Sequence, residues 1–291
     1  MICESMKIVI TGAEGQLGRE LMKLYPDSVG TSHDNSKRLY LSLENHDAIV
    51  KLLASEKPDL VINSAALTNV DRCEKEREYA YRVNGLAVRH MALECRKIGA
   101  RLVQISTDFI FDGTTGNYVE NAPPNPINYY GLSKLASEHF ALSSEENLVV
   151  RTSGVFGYSN NFPLFVYNKL KNGEVVNAIK GFYSPIHAEN LAKAIEKLID
   201  LKEVGIINVA GERVSRMELA LGIAEYFGLD KNMITESDMV QPIKARRPFD
   251  SSLDITKAKR LIAFDFYTMR SNLEALRSSI DATEVKCVKQ L

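Results

Sequence analysis

Cysteine is scarce and unpatterned in this chain of 291 residues: Cys3, Cys73, Cys95 and Cys287 share no paired spacing. The five histidines, His33, His46, His90, His139 and His187, are equally dispersed, so no zinc or iron–sulfur arrangement can be drawn and no metal is expected. Isolated thiols in a long chain fit a reducing compartment, and the expectation is a cytoplasmic protein. Long hydrophobic runs are missing as well: none approaches the roughly eighteen apolar residues of a membrane-spanning helix. So is an excess of either charge, since 36 Lys and Arg against 37 Asp and Glu leave a formal net charge of −1. No field draws such a chain to polyanions, and neither nucleic acid nor a membrane surface is expected as a partner. The basic cluster at 244–247 reads as a solvated face. There is no internal repeat and no low-complexity linker. Residues 1–5 are too short and polar for a signal peptide and are expected to be either an extension ahead of the first strand or an early start, with Met6 the more natural opening.

What remains is an ordinary globular composition, 45% hydrophobic and 25% charged, enough for a full core. A β-branched run at 7–11 leads into Gly12-Ala13-Glu14-Gly15-Gln16-Leu17-Gly18 and then a helical stretch at 19–24. A strand passing through a glycine turn into a helix is the arrangement that cradles a pyrophosphate. Gly12 makes the turn, Gly15 lets backbone approach the phosphates and Gly18 lets helix pack on strand. The helix N-terminus supplies amide donors and partial positive charge, and Gln16 and Leu17 in the loop before it are expected to bind the cofactor. Strands are predicted at 28–32, 39–43, 59–63, 101–106 and 148–151, with helices at 47–55 and 76–98 and another carrying Tyr130. Strand and helix alternate to this point, which predicts a Rossmann-type α/β fold with a doubly wound parallel sheet. Beyond residue 151 the rhythm loosens. Helices are predicted at 164–170, 188–200, 216–227, 255–261 and 271–279, with strands at 175–179 and 205–209. Residues 1–152 are therefore read as the NAD(P)-binding domain. Residues 153–282 are read mainly as a smaller α/β substrate-binding part, some segments of which can return to the sheet, and 283–291 as a frayed tail.

The chemistry centres on Asn128-Tyr129-Tyr130-Gly131-Leu132-Ser133-Lys134. Tyr130 and Lys134 are four residues apart, on one helical face. A cation there favours phenolate, so Lys134 is expected to draw the Tyr130 pKa towards neutrality. A tyrosine tuned that way can protonate a developing alkoxide. A third member, a hydroxyl to hold a substrate carbonyl, is assigned to Thr107 at the end of the neighbouring strand. Ser106 should face the other way by strand alternation, although periodicity does not say which of the two faces the cofactor. Hydride would pass from a nicotinamide to a ketone, with Lys134 also anchoring the nicotinamide ribose. The small residues Ala65 and Ala66, after the strand at 59–63, would let backbone lie against the cofactor. At the adenosine end Asp34 falls slightly late for a ribose contact. Arg19, Ser32, His33, Lys37 and Arg38 could meet a 2′-phosphate, so NADP is favoured over NAD. Asp71 and Glu74 either face the site or serve as solvated or capping residues. Arg246 and Arg247 either reach a substrate diphosphate or form surface ion pairs.

These stretches together resemble the extended short-chain dehydrogenase/reductases, and within them the dTDP-4-dehydrorhamnose reductase family. The resemblance runs from about Lys7 to about Leu261. It rests on Thr11-Gly12-x-x-Gly15-Gln16-Leu17-Gly18 and Asn63-x-Ala65-Ala66-x-Thr68-x-Val70-Asp71. It rests further on Ser106-Thr107-Asp108, Asn128-x-Tyr130-Gly131-x-Ser133-Lys134, Arg151-Thr152-Ser153 and Arg247-Pro248-x-x-Ser251. It implies reduction of a 4-keto-6-deoxy sugar nucleotide by NADPH or NADH, with Thr107, Tyr130 and Lys134 catalytic. Gly12, Gly15, Gln16, Leu17, Gly18, Ala65 and Ala66 are implied as cofactor-binding, with Tyr130 and Lys134, and Thr68, Asp108 and Arg247 as substrate-binding. Some members are dimers, so a homodimer is an option. The chain departs from the family in three places. Gly154 stands where a tryptophan near the sugar usually follows Arg-Thr-Ser, and the chain has no Trp at all. Ser42 replaces an Asp expected near the adenine. The Gln-x-Gly-x-Pro-Thr-like stretch is only partly kept, as Lys180-Gly181-Phe182-Tyr183-Ser184-Pro185-Ile186. Two other functions share the scaffold: a cofactor-binding regulatory subunit like that of methionine adenosyltransferase, and a sugar-nucleotide epimerase or dehydratase. Asp108-Phe109 after Thr107 argues against the dehydratases, which often carry Asp-Glu there.

Overall fold

A computed structural model describes residues 6–34, 38–159, 161–238 and 245–288, without the side chains of 283–288. The expectations for residues 1–5 and for Lys37 lie outside the described residues, as does much of the expected tail. The strands of the main sheet, in chain order, are β1 (Ile8–Thr11), β2 (Val29–Ser32), β3 (Leu39–Tyr40), β4 (Leu60–Asn63), β5 (Arg101–Thr107), β6 (Leu148–Thr152) and β7 (Gly205–Asn208). They pair in the order β7-β6-β5-β4-β1-β2-β3, and every pairing is parallel. This is the doubly wound α/β sheet predicted from the alternating pattern.

Alternation of side chains along each strand explains why both faces are apolar. Ile8 and Ile10 of β1 face one layer with Ile62, Val150 and Ile207, covered by helices Gln16–Leu24 and Ala188–Asp200. Val9 faces the other with Val61, Leu102 and Val149, covered by His46–Glu56 and Ala87–Ile98. With both faces sealed, β1, β4 and β6 are buried along their whole length, as parallel strands must be. A third core gathers Val166, Leu170, Leu219 and Ile223 with Leu273 and Leu276, beside the sheet in the second half of the chain.

The sheet order reverses at β1: β2 lies on one side and β4 on the other. The carboxyl ends of strands at such a reversal leave a crevice open to ligands. β7 joins this sheet from the second half of the chain, beside β6.

Three predicted elements differ in detail. The long helix expected over 76–98 starts earlier and is interrupted: it consists of Val70–Lys75, Arg77–Tyr81, a π-helical turn at Arg82–Leu86 and then Ala87–Ile98. Asn84 and Gly85 lie in that turn, and neither holds an α-helix well. The strand expected over 39–43 is reduced to Leu39–Tyr40 at the exposed sheet edge. The last helix, Met269–Val288, begins sooner than 271 and continues beyond 283, where a frayed tail is expected.

Candidate active site

The crevice at the reversal point is a cleft of ≈ 680 Å³. Gly12, Gly15, Gln16 and Leu17 line one end, Ala65, Ala66 and Thr68 its middle, and Thr107, Tyr130 and Lys134 the other, with Ser106, Thr152 and Gly154. Ten of the predicted cofactor, catalytic and substrate residues therefore meet in one cavity, although they come from strand ends up to 122 residues apart in sequence.

The glycine end fits a pyrophosphate on steric grounds. Gly12 has φ +70, and a Cβ there would lie 2.9 Å from the Ala65 backbone. A Cβ on Gly18 would come within 2.0 Å of the Gly12 carbonyl oxygen. Gly15 is the N-cap of helix Gln16–Leu24, and no side chain bonds the free amides of its first turn. Those amides are left for an anion. Gly18 itself does not line the cleft; it lets the helix press against the turn.

At the adenosine end, Ser32, His33 and Asp34 line the cleft, and Ser32 Oγ donates to Asp34 Oδ1 at 2.6 Å. Arg19 and Arg38 both reach Glu14, at 2.9 and 3.1 Å. The Arg19 guanidinium lies 4.3 Å from the centre of the Tyr158 ring. Ser42, in place of the family's Asp, lines a smaller adjoining cavity with Leu41 and Leu43.

The catalytic end is assembled by one close helix contact. Asn128 caps helix Tyr129–Ala141, accepting from the Gly131 amide at 2.8 Å. Gly131 presses on the turn that follows β5: a Cβ on it would stand 2.0 Å from the Phe109 carbonyl oxygen. Tyr130 and Thr107 line the same end of the cleft, and the Thr107 hydroxyl is close enough to act on the phenol. Thr107 Oγ1 also donates to Asp108 Oδ1 at 3.0 Å. Ser106 turns the other way and donates to Glu138 Oε1 at 2.5 Å. Strand alternation thus separates the two hydroxyls as expected, and Thr107 is the one that meets Tyr130.

The electrostatics depart from expectation. Burial pushes the Tyr130 phenol above its ordinary pKa, and the neighbouring Thr107 hydroxyl does not outweigh this. Lys134 does not pull it down. Its Nζ donates to the Ile105 carbonyl at 2.6 Å, and burial lowers its own pKa to about 8. The four-residue spacing gives the shared helical face, but the ammonium finds a β5 carbonyl and partial burial raises the phenol.

Asp108, expected to touch substrate, lies beneath the cleft floor. Its fully buried carboxyl accepts from Ser251 at 2.5 Å, Ser153 at 2.7 Å and Thr107, and burial raises its pKa. Its reach to the site is through the Thr107 hydroxyl that it orients. Arg247 does not line the cleft either; Nη1 is 3.1 Å from Asp71 Oδ1 and donates to the Ala245 carbonyl at 2.6 Å. Glu74 turns out to be a cap: it accepts from the Tyr129 amide at 2.6 Å.

Two features were not read from the sequence. Asn84, in the π turn, bonds both backbone groups of Leu67 and donates to Ser133 Oγ at 3.0 Å, tying the Ala65–Thr68 loop to the Tyr130 helix. A helix-weakening Asn-Gly pair inside a predicted helix was the available signal. Glu138 and Arg151 form a buried ion pair at 2.8 Å behind Ser106, both almost wholly inaccessible. Among the described residues no group of three or more His, Cys, Asp or Glu could hold a metal, and no helix is long and apolar enough to cross a membrane.

Gly154 has a steric explanation. Its φ is +51, and a Cβ there would meet the Tyr183 ring at 2.7 Å. Where the family's usual tryptophan would project, the space is taken by an aromatic ring from the altered 180–186 stretch.

The family whose description is RmlD substrate binding domain matches residues 6–282, and the chain belongs to that family. The dTDP-4-dehydrorhamnose reductase of Aggregatibacter actinomycetemcomitans is 35% identical over 273 residues, covering 87% of this chain and 92% of that protein. A crystal structure described as a hypothetical dTDP-4-dehydrorhamnose reductase from Sulfolobus tokodaii superposes with a TM-score of 0.86 at 46% identity, over 91% of this chain and 99% of that one. The Bacillus anthracis dTDP-4-dehydrorhamnose reductase, solved in complex with NADP, superposes with a TM-score of 0.85 at 30% identity, over 93% of this chain and 98% of that one.

Proposed function

We propose that this member of the family is a dTDP-4-dehydrorhamnose reductase: it reduces the 4-keto group of a dTDP-linked 6-deoxy sugar with NADPH. The observation that carries the reading is the gathering of Thr107, Tyr130 and Lys134 in the same cleft as the glycine-bounded helix N-terminus. When bound, the reduced nicotinamide supplies hydride to the carbonyl carbon. Thr107 and Tyr130 aim two hydroxyl donors at the carbonyl oxygen, and charge developing there strengthens both bonds. Tyr130 gives up its proton to that oxygen. A raised phenol pKa serves this direction of reaction, because the acid begins each turnover protonated. Lys134, a cation below about pH 8, holds the nicotinamide ribose and eases formation of the phenolate once the proton has left. Gly12, Gly15, Gln16, Leu17, Ala65 and Ala66 receive the cofactor, and Thr68 receives substrate.

NADPH is preferred over NADH in this reading. Arg19 and Arg38 at the adenosine end support it, as does the NADP complex of the B. anthracis relative. Residues 153–282 supply most of the sugar-nucleotide side of the cleft. The protein acts in the cytoplasm, alone or as a homodimer.

The test is a turnover assay with dTDP-4-keto-6-deoxyhexoses and each cofactor, on the wild type and Tyr130→Phe. The expected result is NADPH-preferring turnover that falls by about 10²- to 10⁴-fold in the variant, with NADPH binding retained. Full activity in Tyr130→Phe removes the proposed acid. Absence of turnover with any 4-keto sugar nucleotide in the wild type would instead favour the regulatory-subunit reading.

A further inference from the structure

A hydroxyl has one proton to donate, and Thr107 cannot offer it to a substrate if Asp108 is a carboxylate. Thr107 Oγ1 lies 3.0 Å from Asp108 Oδ1 and accepts from the Phe109 amide at 3.3 Å. An ionised carboxyl only accepts, so the Thr107 proton must then point at Asp108 and away from the cleft. The lone pair left on Thr107 would meet the lone pairs of a substrate carbonyl, and two acceptors repel. With a proton on Asp108 Oδ1 the same contact runs the other way. Thr107 Oγ1 then accepts from Asp108 and from Phe109, and its own proton is free for the cleft. Heavy-atom positions fit both directions, so the surroundings of Asp108 decide between them.

Those surroundings suit a neutral acid. Asp108 is 3% exposed. Its carboxyl is met by the hydroxyls of Thr107, Ser153 and Ser251 and by its own backbone amide, with no lysine, arginine or histidine among its partners. Ser153 and Ser251 both donate to Oδ2, and Ser153 Oγ in turn accepts from the Ser184 amide at 3.2 Å. Oδ2 thus has its two lone pairs engaged, as a carbonyl oxygen would, while Oδ1 faces Thr107 and is the oxygen placed to carry a proton. The titratable groups that act on Asp108 are the phenols of Tyr130 and Tyr183, which burial keeps protonated and which bring no positive charge. A carboxylate without a cation is costly in such a place, and burial raises the Asp108 pKa.

The reaction favours the same state. Reduction puts negative charge on the carbonyl oxygen, and a carboxylate directly behind Thr107 would oppose it. A neutral acid instead heads a chain of hydrogen bonds from Asp108 through Thr107 to the carbonyl oxygen, in which each bond polarises the next. Carboxylic acids kept neutral by a dry site serve as hydrogen-bond donors of this kind.

We propose that Asp108 is a positioning residue that works as a neutral carboxylic acid, donating to Thr107 Oγ1 and so turning the Thr107 hydroxyl towards the substrate carbonyl. This role rests on the reductase reading above and replaces a direct contact of Asp108 with substrate.

Infrared spectroscopy of the NADPH-loaded full chain tests the proton directly and requires no turnover. The expected result near neutral pH is a protonated-carboxyl C=O band that shifts in heavy water and is absent from Asp108→Asn. Turnover of a dTDP-4-keto-6-deoxyhexose tests the role. Asp108→Ala lowers kcat by about 10- to 100-fold, the loss expected for one strong hydrogen bond, with KM and NADPH affinity held. Asp108→Asn has an amide that can donate to Thr107 and accept from the two serines, so it recovers most of that loss; a carboxylate in this role predicts that it recovers none. Where Asp108→Ala does not fold, the infrared band and Asp108→Asn still decide. A wild type without the band overturns the assignment, as does an Asp108→Asn variant that shows the whole of the loss. A wild type that shows the band but turns over no 4-keto sugar nucleotide overturns the reductase reading and leaves the neutral acid standing.

Discussion

The Gly131→Ala substitution isolates the contact that assembles the catalytic end. By local preference alone the change is favourable, since alanine exceeds glycine in a helix interior by about 1 kcal/mol. The structure reverses that sign. The new Cβ would stand 2.0 Å from the Phe109 carbonyl oxygen, 2.9 Å from its carbon and 3.1 Å from Pro126 Cβ, where real Cβ contacts do not fall below 3.0 Å. The nearest clash is with backbone, so helix Tyr129–Ala141 and the turn after β5 must part by about 1 Å. Tyr130 travels with the helix and Thr107 stays with β5, so the distance between the two hydroxyls changes. Overpacking of this kind costs about 1–3 kcal/mol. A 1 Å misplacement of reacting groups costs about 10²-fold in rate. The expected result is a kcat/KM lower by about that factor, a modest fall in melting temperature and retained NADPH binding, since the glycine loop is untouched. Gly99→Ala is the matched control. It places a Cβ at φ +75 with nothing within 4 Å, so it costs stability through backbone strain and leaves kcat alone. Wild-type kcat/KM in Gly131→Ala would show that the Phe109 contact does not set the Thr107–Tyr130 geometry.

Two further outcomes follow from buried charge. Glu138→Gln leaves Arg151 buried without its counter-ion and should cost about 3–5 kcal/mol in urea denaturation, whereas replacing both partners by methionine recovers most of it; equal losses in the single and double variants would count against the pair as the cause. Lys134 has a folded pKa lowered from 10.5 to about 8, so between those values the unfolded chain binds the extra proton. Its contribution is unfavourable in full below about pH 8 and disappears as pH rises through the unfolded value, so wild-type stability relative to Lys134→Met should increase from pH 7.5 to pH 10 in thermal melts; a flat difference would refute the buried cation.

Much of the cofactor half was legible because its signals are local. The glycine spacing follows directly on β1, and near-continuous apolar runs mark strands covered on both faces. Strand alternation says that Thr107 and Ser106 face opposite ways, but which of them faces the cleft with Tyr130 is decided by the fold. What was not legible depends on partners distant in sequence. Arg247 looks like a phosphate ligand until Asp71, 176 residues away, is seen to hold it. Asp108 looks like a polar residue at a ligand edge, but Ser153 and Ser251 close over it from later segments. The break in the helix at Glu76 and the π turn at Asn84 are local in sequence but tertiary in cause, since Asn84 serves Leu67 and Ser133. The two-residue strands of the second half, such as Phe182–Tyr183 against Val214–Ser215, are too short for any periodicity to register.

The Tyr130–Lys134 pair bears on how the proton is managed. Spacing suggested a phenol held near neutrality by an adjacent ammonium. Burial instead raises the phenol and lowers the lysine, so that the two pKa values move apart from their ordinary order: the amine becomes the readier of the two to lose a proton. A carbonyl being reduced needs a donor that keeps its proton until negative charge develops on oxygen, and a tyrosine whose pKa is raised beside Thr107 meets that need. Once the proton has left, Lys134 on the same helical face is the nearest cationic group to the phenolate along the helix. The lysine's part therefore falls after proton transfer rather than before it. This order also explains why the ammonium rests on the Ile105 carbonyl in the absence of charge on Tyr130: a neutral phenol offers it less than a backbone oxygen does.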